Sequence, residues 1–84
     1  MNWCYITFRS ITPAQRGEAV LQRIGIRATL RRTPSWMAEQ GCGDCLVVRP
    51  EEAVRGMGAL KSGQVPFRKL YLLDADGNAE ELTV

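Results

Sequence analysis

The segment TPAQRGEAVLQRIG, residues 12–25, carries the clearest local signal in the chain. Thr12 is a residue type that caps helices, Pro13 suits the first helical position, and Gln15 completes a capping box. Small and apolar residues then recur at helical spacing up to position 24. Gly25 is placed to end the helix in a left-handed cap. The segment therefore predicts an amphipathic helix that packs on another layer of the fold.

The segments on both sides of this helix predict strands and a second helix. β-Branched and aromatic residues in short runs favour strands, whereas Pro50 followed by two acidic residues favours a helix start. Pro34 ends the strand before it, because proline cannot donate to a sheet. We predict strands at 3–8, 26–33, 45–48 and 67–73, a second helix from Pro50 to Gly63, and a short edge strand at 79–84.

The predicted order is β-α-β-β-α-β with a short C-terminal hairpin arm, which is typical of a ferredoxin-like split βαβ domain. We therefore expect one α+β domain over residues 1–84, with both helices on one face of an antiparallel sheet. The alternation of side chains along each strand assigns the two faces. The residues expected to face the helices are Cys4, Ile6, Phe8, Ala28, Leu30, Leu46, Val48, Leu70 and Leu72. The residues expected on the free face are Trp3, Tyr5, Thr7, Arg27, Thr29, Arg31, Cys45, Val47, Phe67, Lys69 and Tyr71.

The composition excludes several classes of function. Eleven basic and nine acidic residues give a net charge of +2, which argues against nucleic-acid binding. The chain has no histidine, so Ser-His-Asp catalysis and histidine-ligated metals are excluded. The sequence has no membrane-length apolar run, no signal peptide and no cofactor motif. We expect a cytoplasmic protein that binds no membrane and needs no cofactor.

Three cysteines remain as candidate chemical groups. Cys42 lies between Gly41 and Gly43, outside any apolar run, where a purely structural cysteine would be unusual. The glycines let backbone N–H groups approach a sulfur anion. Cys45 begins a strand and Cys4 lies in the predicted core, so packing explains them more readily. We therefore predict that Cys42 is a reactive, solvent-reachable thiol, with Cys45 as its partner.

A C-x-x-C pair such as Cys42 and Cys45 has three common uses. Dithiol exchange normally places the pair at the start of a helix, but a strand follows here. Structural zinc needs four ligands, so metal binding would require two chains that share one ion across a dimer. Carriage of sulfur or selenium needs one exposed thiolate and a flexible loop that enters a partner's site, and a second thiol can serve to release the cargo. Arg31 and Arg32 end the preceding strand, where a guanidinium would favour the thiolate and a bound anion.

Five features together resemble a family of short bacterial and archaeal proteins described as selenium/sulfur carrier-like. The features are an aromatic-rich first strand ending in Phe8, a Gly25-Ile26 turn, Thr33-Pro34 after the second strand, Cys42-Gly43 before a short apolar strand, and Tyr71 in the closing strand. The resemblance covers roughly residues 3–73 and leaves the C-terminal extension, 73–84, outside it. It implies a ferredoxin-like domain that exchanges sulfur or selenium with donor and acceptor proteins.

The leading hypothesis is a thiol-based sulfur or selenium carrier, rather than a stand-alone enzyme. Its predicted site residues are Cys42 and Cys45 for the chemistry and Gly43, Arg31 and Arg32 for contact with the cargo. One alternative is a protein-interaction or homodimerisation module that uses the aromatic free face, because such faces are uncommon on monomers. The other alternative is thiolate metal binding across a dimer.

Overall fold

The computed structural model describes residues 2–33 and 43–82. In that part of the chain the protein is an α+β domain with two helices and one five-stranded antiparallel sheet. The elements are β1 (Trp3–Phe8), α1 (Ile11–Arg23), β2 (Thr29–Arg32), β3 (Asp44–Val48), α2 (Pro50–Ser62), β4 (Leu70–Leu73) and β5 (Ala79–Leu82).

The strands lie in the order β2-β3-β1-β4-β5, so β1 is at the centre of the sheet. Cys4 in β1 is opposite Val48 in β3 on one side and Leu72 in β4 on the other. β5 follows β4 through a tight turn and joins the sheet as its last strand. The Asp74 carboxylate accepts hydrogen bonds from the backbone N–H groups of Asp76 at 3.0 Å and Asn78 at 2.9 Å, which stabilise that turn.

The helix ends agree with the sequence at three of four positions. α2 begins at Pro50 and has Gly63 as its C-cap. Gly25 has a φ of +80°, and the N–H of Ile26 donates to the Leu21 carbonyl at 2.9 Å, so the left-handed end of α1 is confirmed. The predicted cap at Thr12 is wrong, because α1 already begins at Ile11 after Ser10. No helix among the described residues is long and apolar enough to cross a bilayer.

Strands β2 and β4 are shorter than predicted. At the predicted start of each strand, backbone N–H groups donate to acceptors outside the regular strand pairing. The N–H of Ile26 bonds to the end of α1 instead of a neighbouring strand. Before β4, the Thr7 hydroxyl accepts a hydrogen bond from the Lys69 N–H at 3.0 Å, and the Thr7 N–H donates to the Lys69 carbonyl at 2.8 Å. A side chain here replaces one partner of the regular ladder, so the strand begins only at Leu70.

The core lies between the helices and one sheet face, as the alternation predicts. Seven of the nine residues expected to face the helices are buried in this core: Cys4, Ile6, Phe8, Ala28, Leu46, Val48 and Leu70. Leu30 and Leu72, the other two, are partly buried against it. Burial of apolar area on this face is the main stabilising contribution to the fold.

The opposite face is only partly open, which corrects the prediction of a free aromatic face. Trp3 is 37% exposed, and Tyr5 and Tyr71 are half-buried. Thr7 and Cys45, in contrast, are buried at 4% and 0% exposure. This face is therefore closed to solvent around Thr7 and Cys45.

Candidate functional site

The end of the β2–β3 pair brings most of the predicted site residues together. Arg31 lies opposite Cys45, and Arg32 lies opposite Asp44. The N–H of Thr33 donates to the carbonyl oxygen of Gly43 at 3.1 Å and closes this end of the ladder. The pairing therefore brings Arg31 and Arg32 next to the segment that contains Gly43 and Cys45.

Cys42, the leading candidate nucleophile, lies outside the described residues. Its reactivity and its solvent exposure remain predictions. The residue after it, Gly43, is described and buried, and it leads directly into β3. The backbone on the C-terminal side of Cys42 is therefore attached to the central part of the sheet.

Gly43 occupies a position that only glycine fits well. Its φ is +148°, a backbone conformation that L-residues rarely adopt. A Cβ atom at this position would lie 2.9 Å from the carbonyl oxygen of Phe8, closer than real Cβ atoms approach. The close approach seen at Gly43 is to the backbone at the end of β1, which is a different contact from the approach to a sulfur anion that the Gly-Cys-Gly pattern predicts. A contact between Gly43 and a bound anion remains a prediction.

Cys45 lies on the face of β3 away from the helices. Its neighbour Leu46 belongs to the helix-side core, and side chains alternate along a strand. Its Cα is paired with Arg31 in β2 and Thr7 in β1. The Cys45 side chain is completely buried there. A role in chemistry therefore requires local opening around this thiol or delivery of the reacting group into the site.

The surroundings of Cys45 affect its acidity in both directions. Burial raises the pKa of the Cys45 thiol, and the negative charge of Asp44 raises it further. The neighbouring Thr33 hydroxyl and the positive charge of Arg31 act against this and lower the same pKa. Desolvation is the largest of these effects, so the thiol is protonated at neutral pH. The groups that would stabilise its thiolate are nevertheless already in place.

Thr33 is a site residue that the sequence reasoning missed. It is 7% exposed, and its hydroxyl oxygen has no hydrogen-bond partner of regular geometry among the described residues. The same hydroxyl is close enough to Cys45 to lower the pKa of the thiol. A buried hydroxyl without a full partner is costly, so its position beside a sulfur atom calls for a chemical explanation. Alternation places Thr33 on the same face as Arg31, a signal that the sequence already contained.

Arg31 and Arg32 differ in their relation to the thiol. Both are exposed. Successive side chains point to opposite faces of a strand, so Arg31 shares the face of Cys45 whereas Arg32 lies on the other face. The pKa of Cys45 is lowered by Arg31. Only Arg31 is therefore positioned to act on this thiol, and the role predicted for Arg32 remains a prediction.

The two alternative interpretations, metal binding across a dimer and docking on the aromatic face, remain untested by this region. Residues 2–33 and 43–82 contain no group of three or more Cys, Asp, Glu or His side chains that could hold a metal. Metal sharing across a dimer would involve Cys42 and remains a prediction. On the free face, Trp3, Tyr5 and Arg31 line a shallow cavity of about 180 Å³. Partner docking or homodimerisation on this face also remains a prediction.

The fold and this cluster define a small α+β protein with a protected thiol at one end of its sheet. The chain belongs to the family described as "Putative Se/S carrier protein-like", whose family model matches residues 3–72. The resemblance to selenium/sulfur carrier-like proteins is thereby confirmed, and it implies donor or acceptor proteins as partners. No curated protein and no solved structure matches the chain.

Proposed function

We propose that this protein carries sulfur or selenium as a persulfide, or its selenium analogue, on Cys42, with Cys45 as the second thiol. The observation that carries the proposal is the environment of Cys45, a buried thiol beside the Thr33 hydroxyl and the Arg31 guanidinium. A thiol that only fills space needs neither group. Membership of the carrier family supports the same conclusion.

The strand order supports a ferredoxin-like architecture for this carrier. The order β2-β3-β1-β4 with antiparallel neighbours fits the split βαβ arrangement, to which β5 is added at one edge. By its position in the sequence, Cys42 belongs to the connection between β2 and β3. Connections between strands are where binding and reacting residues are disproportionately found. Reducing conditions in the cytoplasm would keep the Cys42 thiol available for loading.

Loading would proceed by transfer of a single sulfur atom. The Cys42 thiolate attacks the outer sulfur of a donor protein's persulfide. The sulfur–sulfur bond of the donor breaks, a new one forms on Cys42, and the donor cysteine leaves as a thiolate. The number of sulfur–sulfur bonds is unchanged, so this step requires no oxidant or reductant.

Release would use Cys45. After local opening around this buried residue, its thiol loses its proton to solvent, and the thiolate then attacks the Cys42 sulfur that bears the cargo. A disulfide forms between Cys42 and Cys45, and hydrosulfide leaves with the electron pair of the broken bond. A dithiol reductant then restores both thiols by exchange. Arg31 and Thr33 would favour the Cys45 thiolate in this step, while Gly43 and Arg32 would contact the anionic cargo.

Loading with sulfur tests this proposal directly. The protein is incubated with a cysteine desulfurase and free cysteine, and intact mass is measured without reductant. We expect a gain of whole sulfur atoms in the wild type and in Cys4→Ala, and no gain in Cys42→Ser. Equal loading of Cys42→Ser would show that the proposal is wrong. Far-UV circular dichroism of each variant ensures that a loss of loading is not a loss of folding.

A further inference from the structure

A second candidate site lies on the other side of the sheet, between α2 and strands β4 and β5. It is a groove of about 630 Å³, within the size range of small-molecule sites. Its walls are mainly apolar, with Met57 from α2, Leu72 from β4 and Leu82 from β5. Cys4 also lines this groove; it is paired with Val48, at the opposite end of β3 from Asp44. The groove is therefore separate from the site of the proposed sulfur chemistry.

Gly58 lies in α2 beside this groove, where the absence of a side chain leaves open space. Glycine at this position makes the helix less stable than alanine would. A Cβ atom at Gly56 would lie 3.3 Å from the Leu21 side chain, so close packing of the two helices explains that glycine. A Cβ atom at Gly58 would meet nothing within 4 Å. Alanine there would stabilise the helix by about 1 kcal/mol. Gly58 lines the groove, and its lack of a side chain widens the space beside α2.

The charge and polarity of the lining define the kind of ligand. Among the described residues that line the groove, Lys61 is the only charged one. It lies in the last turn of α2, whereas Pro50, at the first turn, lines the groove too. The two positions are about 16 Å apart along the helix axis. Val54 lies between them and is 86% exposed, an unusual degree of exposure for a large aliphatic side chain.

We propose that this groove binds a single aliphatic chain that ends in a carboxylate. The chain would lie along α2 against Met57, Leu72 and Leu82, and the carboxylate would pair with the Lys61 ammonium. Val54 would then cover the bound chain from the solvent side. The binding is non-covalent, because Cys4 is a buried thiol among apolar groups. This activity is additional to the proposed sulfur carriage and does not depend on it.

Blocking the groove at Gly58 tests where the ligand binds. The full chain is titrated with decanoate, below the concentration at which it forms micelles, and binding is followed by calorimetry and by backbone amide shifts. We expect Gly58→Leu to weaken binding by about tenfold or more, because its side chain fills the groove. Gly58→Ala is the matched control, expected within about twofold of the wild type. Equal binding by all three proteins, or no binding by the wild type, would overturn the proposal.

Changing the charge tests the carboxylate. Decyltrimethylammonium, which has the same chain and the opposite head charge, should bind more weakly than decanoate. Lys61→Gln should weaken decanoate binding by about two- to fivefold, while Arg16→Gln, an exposed charge on α1, should not. A preference for the cationic head, or equal effects of the two substitutions, would overturn the assignment of Lys61. Sulfur loading of Gly58→Leu should match the wild type, which separates this test from that of the carrier function.

Discussion

Cys4 and Cys45 are both completely buried, at 1% and 0% exposure, yet their surroundings differ in kind. Burial raises the pKa of each thiol. At Cys4 the second influence is the negative charge of Glu51, which raises the pKa further. At Cys45, Thr33 and Arg31 oppose the effect of burial. The comparison teaches that two thiols buried to the same depth can differ in the polar groups around them; the chemical role of Cys45 remains a prediction.

The largest expected effect is a loss of folding stability on substitution of Gly43, two residues before Cys45. Gly43→Ala puts a Cβ atom against the Phe8 carbonyl in a strained backbone conformation, so we expect a loss of about 2 to 3 kcal/mol in the free energy of unfolding. Urea denaturation measures it. The control is Gly77→Ala, also at positive φ but with open space around it, with an expected loss of about 1 kcal/mol. Equal losses in the two variants would contradict the close contact.

Serine substitution at the two thiols sharpens the comparison. Cys4→Ser places a hydroxyl among apolar core residues, so we expect a loss of about 1–3 kcal/mol in the free energy of unfolding. Cys45→Ser should lose about 1 kcal/mol less, because the Thr33 hydroxyl offers it a hydrogen-bond partner. Urea denaturation measures the free energy of unfolding of both serine variants. Cys4→Ala and Cys45→Ala are the controls, because they lose the sulfur atom without gaining a hydroxyl. A larger loss at Cys45 would be evidence against a polar site there.

A substitution at Thr33 removes the hydroxyl group beside Cys45 and leaves the thiol itself unchanged. In a Cys4→Ala, Cys42→Ser background, Thr33→Val should slow alkylation of Cys45 at pH 8 by about three- to tenfold, because the thiolate loses a hydrogen bond. The rate is measured with iodoacetamide across a pH series. Thr33→Ser keeps the hydroxyl and should retain the original rate. Stability should not fall in Thr33→Val, since a buried hydroxyl without a full partner is removed; a clear fall would indicate a purely structural role.

The smallest effect is the pH dependence of stability. Both thiols have a raised pKa in the folded protein, so in the unfolded chain they lose their protons at lower pH, near the ordinary value of about 8.5. Their contribution to stability is complete below that pH and is lost as the pH rises through the folded pKa. We expect the free energy of unfolding to decline above about pH 8.5. Cys4→Ala and Cys45→Ala should each flatten this decline, and an unchanged slope in both would contradict the raised pKa values.

Local pattern predicted much of the fold, and its errors have identifiable causes. The start of α2 at Pro50 and its end at Gly63 follow from backbone chemistry within one turn of helix. The capping pattern predicts the cap of α1 at Thr12, whereas the helix begins directly after Ser10. The apolar run predicts a start of β4 at Phe67, which is too early because Thr7, about sixty residues away in sequence, bonds to Lys69. The start of β4 thus depends on a neighbour that local patterns do not include.

The sequence by itself determined the order of the helices and strands and the residues that face the helices, because both follow from periodicity over a few neighbouring residues. It also singled out the thiols as the candidate groups for chemistry. Only the tertiary structure decided that Cys45 is closed to solvent and has Thr33 and Arg31 beside it. Those contacts exist because β2 pairs with β3 in one register, and strand pairing across a long connection depends on the whole sheet.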